Sequence, residues 1–396
     1  MKILVCNAGS TSLKIKLYEM PESEVIAQCK IERIGSSDDA VFHYFNYRDN
    51  KKDIRPQQCI LTYREGIEQL LACLLSPEAG VLHDIHEIQR IGYKATVSKN
   101  NFGTHELTDE VLEGMQAWMP LASIHNSAYI EAIKTMKALL PDVLSIGVFE
   151  TDFHRQIPLE RRMYGVPYEW YETYGIQRLG YHSASHGYIA DVLNEKGKKY
   201  KAISCHLGGS SSVCGIKDGI SIDTSFGMSL QSGLIHSTRV GNMDCDLYRF
   251  LKSEGLSDGE IQEGFERKGG IFGISGVSGD LRYVEEAAWK GNTRAKLALD
   301  VFVSGIVHYI GAFFVDLGGL DYLVFTAGIG ENSPVIREMV CKRLSALDLN
   351  IDIERNRNVK GKADITGEGS RVSVWVIPTD EELGIARRTY EYLEKK

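Results

Sequence analysis

Residues 3–17, ILVCNAGSTSLKIKL, decide how the rest of the chain is read. Ile3, Leu4 and Val5 are an apolar, β-rich run. Leu13, Ile15 and Leu17 then alternate with Lys14 and Lys16, the period of a strand with one buried face. Between them lies Asn7-Ala8-Gly9-Ser10-Thr11-Ser12. Its small residues let backbone N–H groups approach an anion, its hydroxyls can donate, and Lys14 adds a point charge. An ordinary hairpin with a Gly/Ser turn fits the same residues. This segment by itself leaves both readings open.

Residues 202–216, AISCHLGGSSSVCGI, repeat the arrangement. Laid over the first copy, Cys6 falls on Cys205, Asn7 on His206, Gly9 on Gly208 and Ser12 on Ser211. Repetition at half the chain length points to two related domains rather than a long array. Two such turns facing each other across a cleft would hold a polyphosphate from both sides.

Composition narrows the classes. The 396 residues are 43% hydrophobic and 25% charged, enough for two globular cores, and the net charge of −8 argues against nucleic acid as a partner. The eight cysteines include no C-x-x-C pair, so neither a disulfide framework nor a zinc site is expected, and a reducing cytoplasm fits. The first strand begins at once, leaving no room for a signal peptide. The apolar stretch 297–320 contains Asp300, His308 and Asp316 and reads as a buried helix, not a membrane span.

Along the chain, 24–34 and 41–47 read as further strands and 62–75 as a helix. A strand at 88–97 precedes helices at 108–118 and 123–140. The strand 143–149 delivers Glu150-Thr151-Asp152 at its C-terminal end, where ligands gather in open α/β sheets. After an aperiodic crossing come a helix at 185–196 and the second glycine hairpin. The segments 223–244 and 269–280 read as loops, with helices at 247–254, 258–268 and 281–290. A strand at 322–325 feeds Thr326-Ala327-Gly328-Ile329-Gly330-Glu331-Asn332, and Pro334 opens another helix. The strand 372–377 leads to a last helix capped by Thr379 or Asp380. Strands with interleaved helices, twice over, give two α/β domains.

Taken in order, NAGSTSLK, CHLGGSSS, STRVGNMD, FTAGIGENS and IPTDEELGIAR resemble the acetate kinase family, which includes the propionate kinases. The resemblance spans nearly the whole chain, and the last two motifs are its specific part. It implies two actin-like (ribonuclease H-like) domains with a nucleotide cleft between them. One would comprise 1–150 plus 383–396 on the carboxylate side, the other 151–382 on the nucleotide side. It further implies a cytoplasmic homodimer that uses ATP and Mg²⁺ (or Mn²⁺) to phosphorylate a short-chain carboxylate to an acyl phosphate, with no nucleic acid or membrane partner.

Residue roles follow from matching positions. Asn7 and Glu381 match the magnesium positions, with Glu382 beside Glu381 as the alternative. Lys14, the turn His206, Leu207, Gly208, Gly209 and Ser210, then Asp280, Leu281 and Arg282, and the run Gly328, Ile329, Gly330, Glu331 and Asn332 match nucleotide positions. His182 and Arg239 match the pair that stabilises a phosphoryl group in flight, whose charge spreads over its equatorial oxygens. His186, four residues beyond His182, reads as a helix-surface residue.

Departures from the family cluster in the site. Lys94 stands where the family has an arginine that grips the carboxylate, which keeps the charge and loses the two-pronged fork. Residues 96–99, Thr-Val-Ser-Lys, replace the family's Val-His-Gly-Gly. Glu150 replaces its catalytic aspartate, and Gly209 an asparagine. Its acyl pocket maps to Thr96, Ile124, Tyr181 and Leu230, so Thr96 and Tyr181 bring hydroxyls into an apolar slot and favour a substrate able to satisfy them. Three readings follow: an active carboxylate kinase, a kinase for a different acid, or a nucleotide-binding paralogue with weak or no activity, a sensor or partner-binding protein. A sugar kinase fits the full-length match poorly.

Overall fold

The structure, a computed structural model, describes residues 1–392 apart from Ser10 and Lys196, without the side chains of Ser123, Ile124 and His125. The hydroxyl expected of Ser10 and the pocket contact expected of Ile124 therefore lie outside the described residues. Two compact units divide the chain: Met1–Arg155 with the chain from Asp380 onward, and Gln156–Thr379. Glu381 and Glu382, counted with the second domain from sequence, fall in the first unit.

The first unit is built on eight strands: β1 Lys2–Gly9, β2 Ser12–Glu19, β3 Glu24–Glu32, β4 Ser36–Asn46, β5 Lys51–Ile60, β6 Ile88–Ala95, β7 Thr104–Glu106 and β8 Leu144–Phe149. They form one sheet in the order β5-β4-β3-β2-β1-β6-β8-β7. β1 runs antiparallel to β2 and parallel to β6. Ile3, Leu4 and Val5 are all buried, as a strand covered on both faces requires, whereas β2 buries Leu13, Ile15 and Leu17 and leaves Lys14 and Lys16 partly open. β5 escapes the sequence reading because KKDIRPQQCI has little apolar alternation. It is an edge strand, where lysine and proline are tolerated.

Helices Met119–Leu139 and Glu381–Glu391 pack on β1 and β6. The last helix is capped by Asp380, whose carboxylate accepts from the Leu383 N–H. Gly92 in β6 leaves room for Thr389 of that helix, whose Oγ1 a Cβ at position 92 would strike. Arg90 donates to the carbonyls of Thr389 and Tyr390 at 3.0 and 2.7 Å.

The second unit has six strands: β9 Lys201–His206, β10 Ser212–Lys217, β11 Ile220–Thr224, β12 Tyr322–Thr326, β13 Ala363–Asp364 and β14 Ser373–Val376. Their order is β11-β10-β9-β12-β14-β13, with β9 antiparallel to β10 and parallel to β12. Helix Thr293–Leu317 buries Ala295, Ala298, Leu299, Phe302, Val303, Ile306 and Ile310 at helical spacing. It is long and apolar enough to cross a membrane, and it is not buried all round: Leu297 and Val315 are exposed.

Segments read from sequence as loop or crossing also carry elements, such as helix Tyr168–Tyr174 in the aperiodic crossing. β11 takes the first two residues of 223–244, helix Gly270–Ser275 occupies the supposed loop 269–280, and the glycine run becomes helix Ala327–Asn332. Helices of six residues are held by packing rather than by periodicity, so no pattern announces them.

The repeat also differs in detail. β1 and β2 close on the pair Gly9 and Ser12 with two residues between. β9 and β10 close on His206 and Ser212 with five residues between. Asn7 therefore faces Lys14 across its ladder, while its counterpart His206 faces Ser212.

Candidate active site

In the second unit, the five-residue turn opens onto a cavity of about 570 Å³. Gly208 and Gly209 line it from the turn, Asp280, Leu281 and Arg282 from the start of helix Leu281–Trp289, and Gly328, Ile329 and Asn332 from helix Ala327–Asn332. Backbone bonds from Ile329 and Gly330 to the Leu207 carbonyl, at 2.7 and 3.1 Å, clip that helix to the turn. Gly328 has no positive φ, and a Cβ there would meet no protein atom within 4 Å. Its missing side chain therefore leaves space for something outside the chain.

Not every nucleotide-matched residue lines this cavity. Leu207 is buried, Ser210 keeps its hydroxyl buried without a partner among the described residues, and the Gly330 carbonyl accepts from Arg337. Glu331 accepts from the Thr379 N–H, and Lys14 belongs to the first unit. Sequence matching missed Glu285, Ser237 and Ser333, which do line it. Glu285 lies one helical turn beyond Leu281, so the helix period alone pointed to it. Burial raises its carboxyl pKa, partly offset by the Ser333 hydroxyl that donates to it.

Beside the turn sits a cluster of imidazoles. His182 has a left-handed backbone, φ 58°, unusual for a residue with a side chain, just before helix Ser183–Asn194. Its Nδ1 lies 2.9 Å from Ser212 Oγ, and its ring stacks on His206 with centroids 3.9 Å apart. His206 Nδ1 contacts Ser185 Oγ at 2.8 Å. His186 is wholly buried rather than on the helix surface, since the helix turns that face onto the sheet and Ser204 and Ser212 satisfy both ring nitrogens.

Arg239 sits in a loop bound to the glycine turn. The Ser237 N–H donates to the Gly209 carbonyl at 3.0 Å, and the Ser211 N–H to His236 Nδ1 at 3.0 Å. Gly270, with φ +61°, lets the helix start pass beneath, where a Cβ would hit the backbone of His236 and Arg239. Burial lowers the Arg239 pKa, opposed by the more distant Glu266 and Tyr181. No side-chain hydrogen bond or ion pair of Arg239 occurs among the described residues. A half-buried guanidinium with no such partner can accept an anion.

In the first unit, Lys94 at the end of β6 lies 3.3 Å from Glu150 and 2.7 Å from Glu381. Glu150 follows β8, its N–H donating to the Ala95 carbonyl at 2.7 Å. Burial disfavours the Lys94 ammonium, but the two glutamates outweigh it and hold its pKa well above the usual lysine value. The Asn7 amide reaches Glu382 at 3.5 Å, not Glu381, and Glu382 also meets Lys14 at 3.0 Å and Lys16 at 3.5 Å. Burial raises the Glu382 carboxyl, yet the two lysines prevail and leave it below its ordinary range.

Oxygen donors suited to magnesium are thus present at Asn7, Glu381 and Glu382, although lysines already engage both carboxylates. No group of three or more His, Cys, Asp or Glu able to hold a metal occurs among the described residues. Such a donor set fits an ion that keeps most of its waters.

The acyl-pocket positions separate. Thr96 is buried, and its hydroxyl has no hydrogen-bond partner among the described residues. The Tyr181 hydroxyl, expected to add polarity, instead donates to the Met228 carbonyl at 2.6 Å. Leu230 is half-buried in the segment after β11.

These two sheets, one ending in a glycine turn on a cavity, define an actin-like α/β protein. The crystal structure of Porphyromonas gingivalis acetate kinase matches with a TM-score of 0.87 at 34% identity, over 99% of each chain. A propionate kinase from Francisella tularensis matches at 0.89 and 30%, over 98% of this chain and 99% of that one. The chain is 40% identical to the acetate kinase of Carboxydothermus hydrogenoformans over the full length of both. Acetate kinase 1 of Listeria monocytogenes is 41% identical over 100% of this chain and 99% of its own. The model of the Acetokinase family covers residues 2–387, and the chain belongs to that family.

Proposed function

We propose that this carboxylate kinase transfers the terminal phosphoryl group of ATP to a short-chain acid, giving an acyl phosphate and ADP. The carrying observation is Arg239, a half-buried cation without an ion-pair partner among the described residues, on the loop bound to the glycine turn of the second-unit cavity. In this reading Gly208, Gly209 and Gly328 admit the phosphates, and Asp280, Arg282 and Asn332 border the nucleoside. Arg239 and His182 donate to the equatorial oxygens as negative charge spreads over them. Lys94 takes the acid's carboxylate as a point charge, and Glu150 holds the ammonium in place.

Asn7 and Glu381, with Glu382 as neighbour, would hold magnesium or manganese through its waters. The ion supplies positive charge to the transferring phosphate. The assembly is a homodimer, for which helix Asp246–Ser253 is the candidate face, having no buried residue and exposing Leu247, Tyr248 and Phe250. Eight free cysteines suit a cytoplasmic setting.

A second reading, a different acid, is favoured by Thr96. Its buried hydroxyl, without a partner among the described residues, would reward a substrate with a polar group and gain little from acetate. One experiment addresses both. Purified protein is given Mg-ATP with acetate, propionate, butyrate and their hydroxy acids, and acyl phosphate is trapped with hydroxylamine. No product from any acid, with ATP still bound by calorimetry, would leave a nucleotide-binding paralogue. Preference for a hydroxy acid that Thr96→Val abolishes would establish the second reading.

A further inference from the structure

We propose that His182 is locked in one tautomer, with its proton on Nε2, by a hydrogen-bond chain running from Ser204 through His186 and Ser212. His186 and Ser212 are then positioning residues, acting through His182. The chain is continuous in space: His186 Nδ1 lies 3.0 Å from Ser204 Oγ, His186 Nε2 lies 2.8 Å from Ser212 Oγ, and Ser212 Oγ lies 2.9 Å from His182 Nδ1. Ser204, Ser212 and His186 are all fully buried, so water cannot stand in for a missing partner.

Donor count sets the direction. A neutral imidazole has one N–H and one acceptor nitrogen, and a hydroxyl has one proton to give. If Ser204 donates to His186 Nδ1, His186 Nε2–H donates to Ser212, and Ser212 donates to His182 Nδ1. Every proton in the chain then has an acceptor, and His182 carries its own on Nε2. In the opposite direction Ser204 would accept from His186, and its buried hydroxyl proton would have no acceptor among the described residues. Leaving a buried donor unpaired is costly enough to fix the direction.

Packing removes the remaining freedom. The His182 ring stacks on His206 at 24° between planes and meets Phe226 at 72°, so it cannot turn over without breaking both contacts. Neighbouring His236 follows the same rule: its Nδ1 accepts from Ser211 N–H and its Nε2 faces the Ser232 carbonyl, which puts the proton on Nε2. The consequence for His182 is a donor aimed away from the chain with no proton rearrangement needed when charge develops. This rests on the donor role given to His182 above.

The test is long-range ¹H–¹⁵N correlation on the full-length protein with ¹⁵N-labelled histidine, with His182 assigned by His182→Gln. A neutral Nε2–H pattern for His182 is expected. His186→Leu and Ser212→Ala should each produce a mixture with the Nδ1–H form and lower kcat by about 10–100-fold with an unchanged KM for ATP. His186→Gln, whose amide N–H replaces Nε2–H, should restore the single tautomer and bring kcat back to within a few-fold. An Nδ1–H or doubly protonated His182 in the unmodified protein overturns the chain, even if no variant folds. A pattern unmoved in both His186→Leu and Ser212→Ala overturns it too. If the tautomer is as expected but His182→Ala leaves acyl phosphate formation intact, the donor role fails and the chain stands.

Discussion

The two units treat charge in opposite ways. In the first, Lys94 meets Glu150 and Glu381 while Lys14 and Lys16 meet Glu382, so three ammonium groups cancel three carboxylates. In the second, imidazoles and serines are joined by hydrogen bonds, and Arg239 has no counter-ion among the described residues. Cancelled charges keep their shape with no ligand bound, whereas a half-buried cation without an ion pair gains when an anion arrives. One cluster is organised by its own partners, the other by the absence of one.

The sharpest way to break this contrast is to remove each cation. Arg239→Ala should lower kcat about a thousandfold or more, with ATP affinity by calorimetry changed only a few-fold. Its stability to urea should hold or rise, because no pairing is lost. Lys94→Met should do the reverse to stability and cost about 3–5 kcal/mol, since buried Glu150 and half-buried Glu381 both lose an ammonium partner. Adding Glu150→Gln should recover part of that loss. Equal destabilisation by the two single changes would erase the distinction.

Acid sharpens it further. Burial and the nearby Arg239 depress His236 to about 3, against about 6.5 unfolded. Between those values the unfolded chain binds more protons, so His236 stabilises the fold above pH ~6.5 and loses that contribution as pH falls, by about 1.4 kcal/mol per pH unit. Urea midpoints at pH 6.5 and 4.5 should separate more in the native protein than in His236→Asn, whose amide oxygen can still accept from Ser211. Glu382 is depressed by its lysines, so its contribution survives until pH drops below the ordinary glutamate range.

The smallest effect belongs to Gly328→Ala. The added methyl meets nothing within 4 Å and sits in a helix, so stability should rise by about 0.5–1 kcal/mol. ATP binding should weaken about tenfold if the space is a phosphate's. Unchanged affinity would remove Gly328 from the nucleotide reading.

Much of this was legible because strand alternation and glycine runs are local signals. β1, β2, β9 and β10 stand where ILVCNAGSTSLKIKL and its repeat put them. The cavity residues at 208–209, 280–282 and 328–329 came from motif order. What stayed hidden depends on partners remote in sequence. Nothing near Asn7 says that it faces Glu382 rather than Glu381, because the final helix alone sets that choice. His186 looked like a surface residue since twelve residues of helix cannot declare which face meets the sheet. The Tyr181 hydroxyl went to a carbonyl 47 residues away, a contact that no spacing rule anticipates.

The return of the chain to its first sheet has a consequence for the order of assembly. Every strand of the unit Gln156–Thr379 lies before residue 377, so that unit is complete in sequence without the helix that follows it. The first unit has all its strands by residue 149, yet the faces of β1 and β6 await helix Glu381–Glu391, and Arg90 has no carbonyls to bind until residue 390 emerges. The half made first is therefore finished last. A released chain truncated after residue 380 should resist protease across 156–379 and be cut within 1–155.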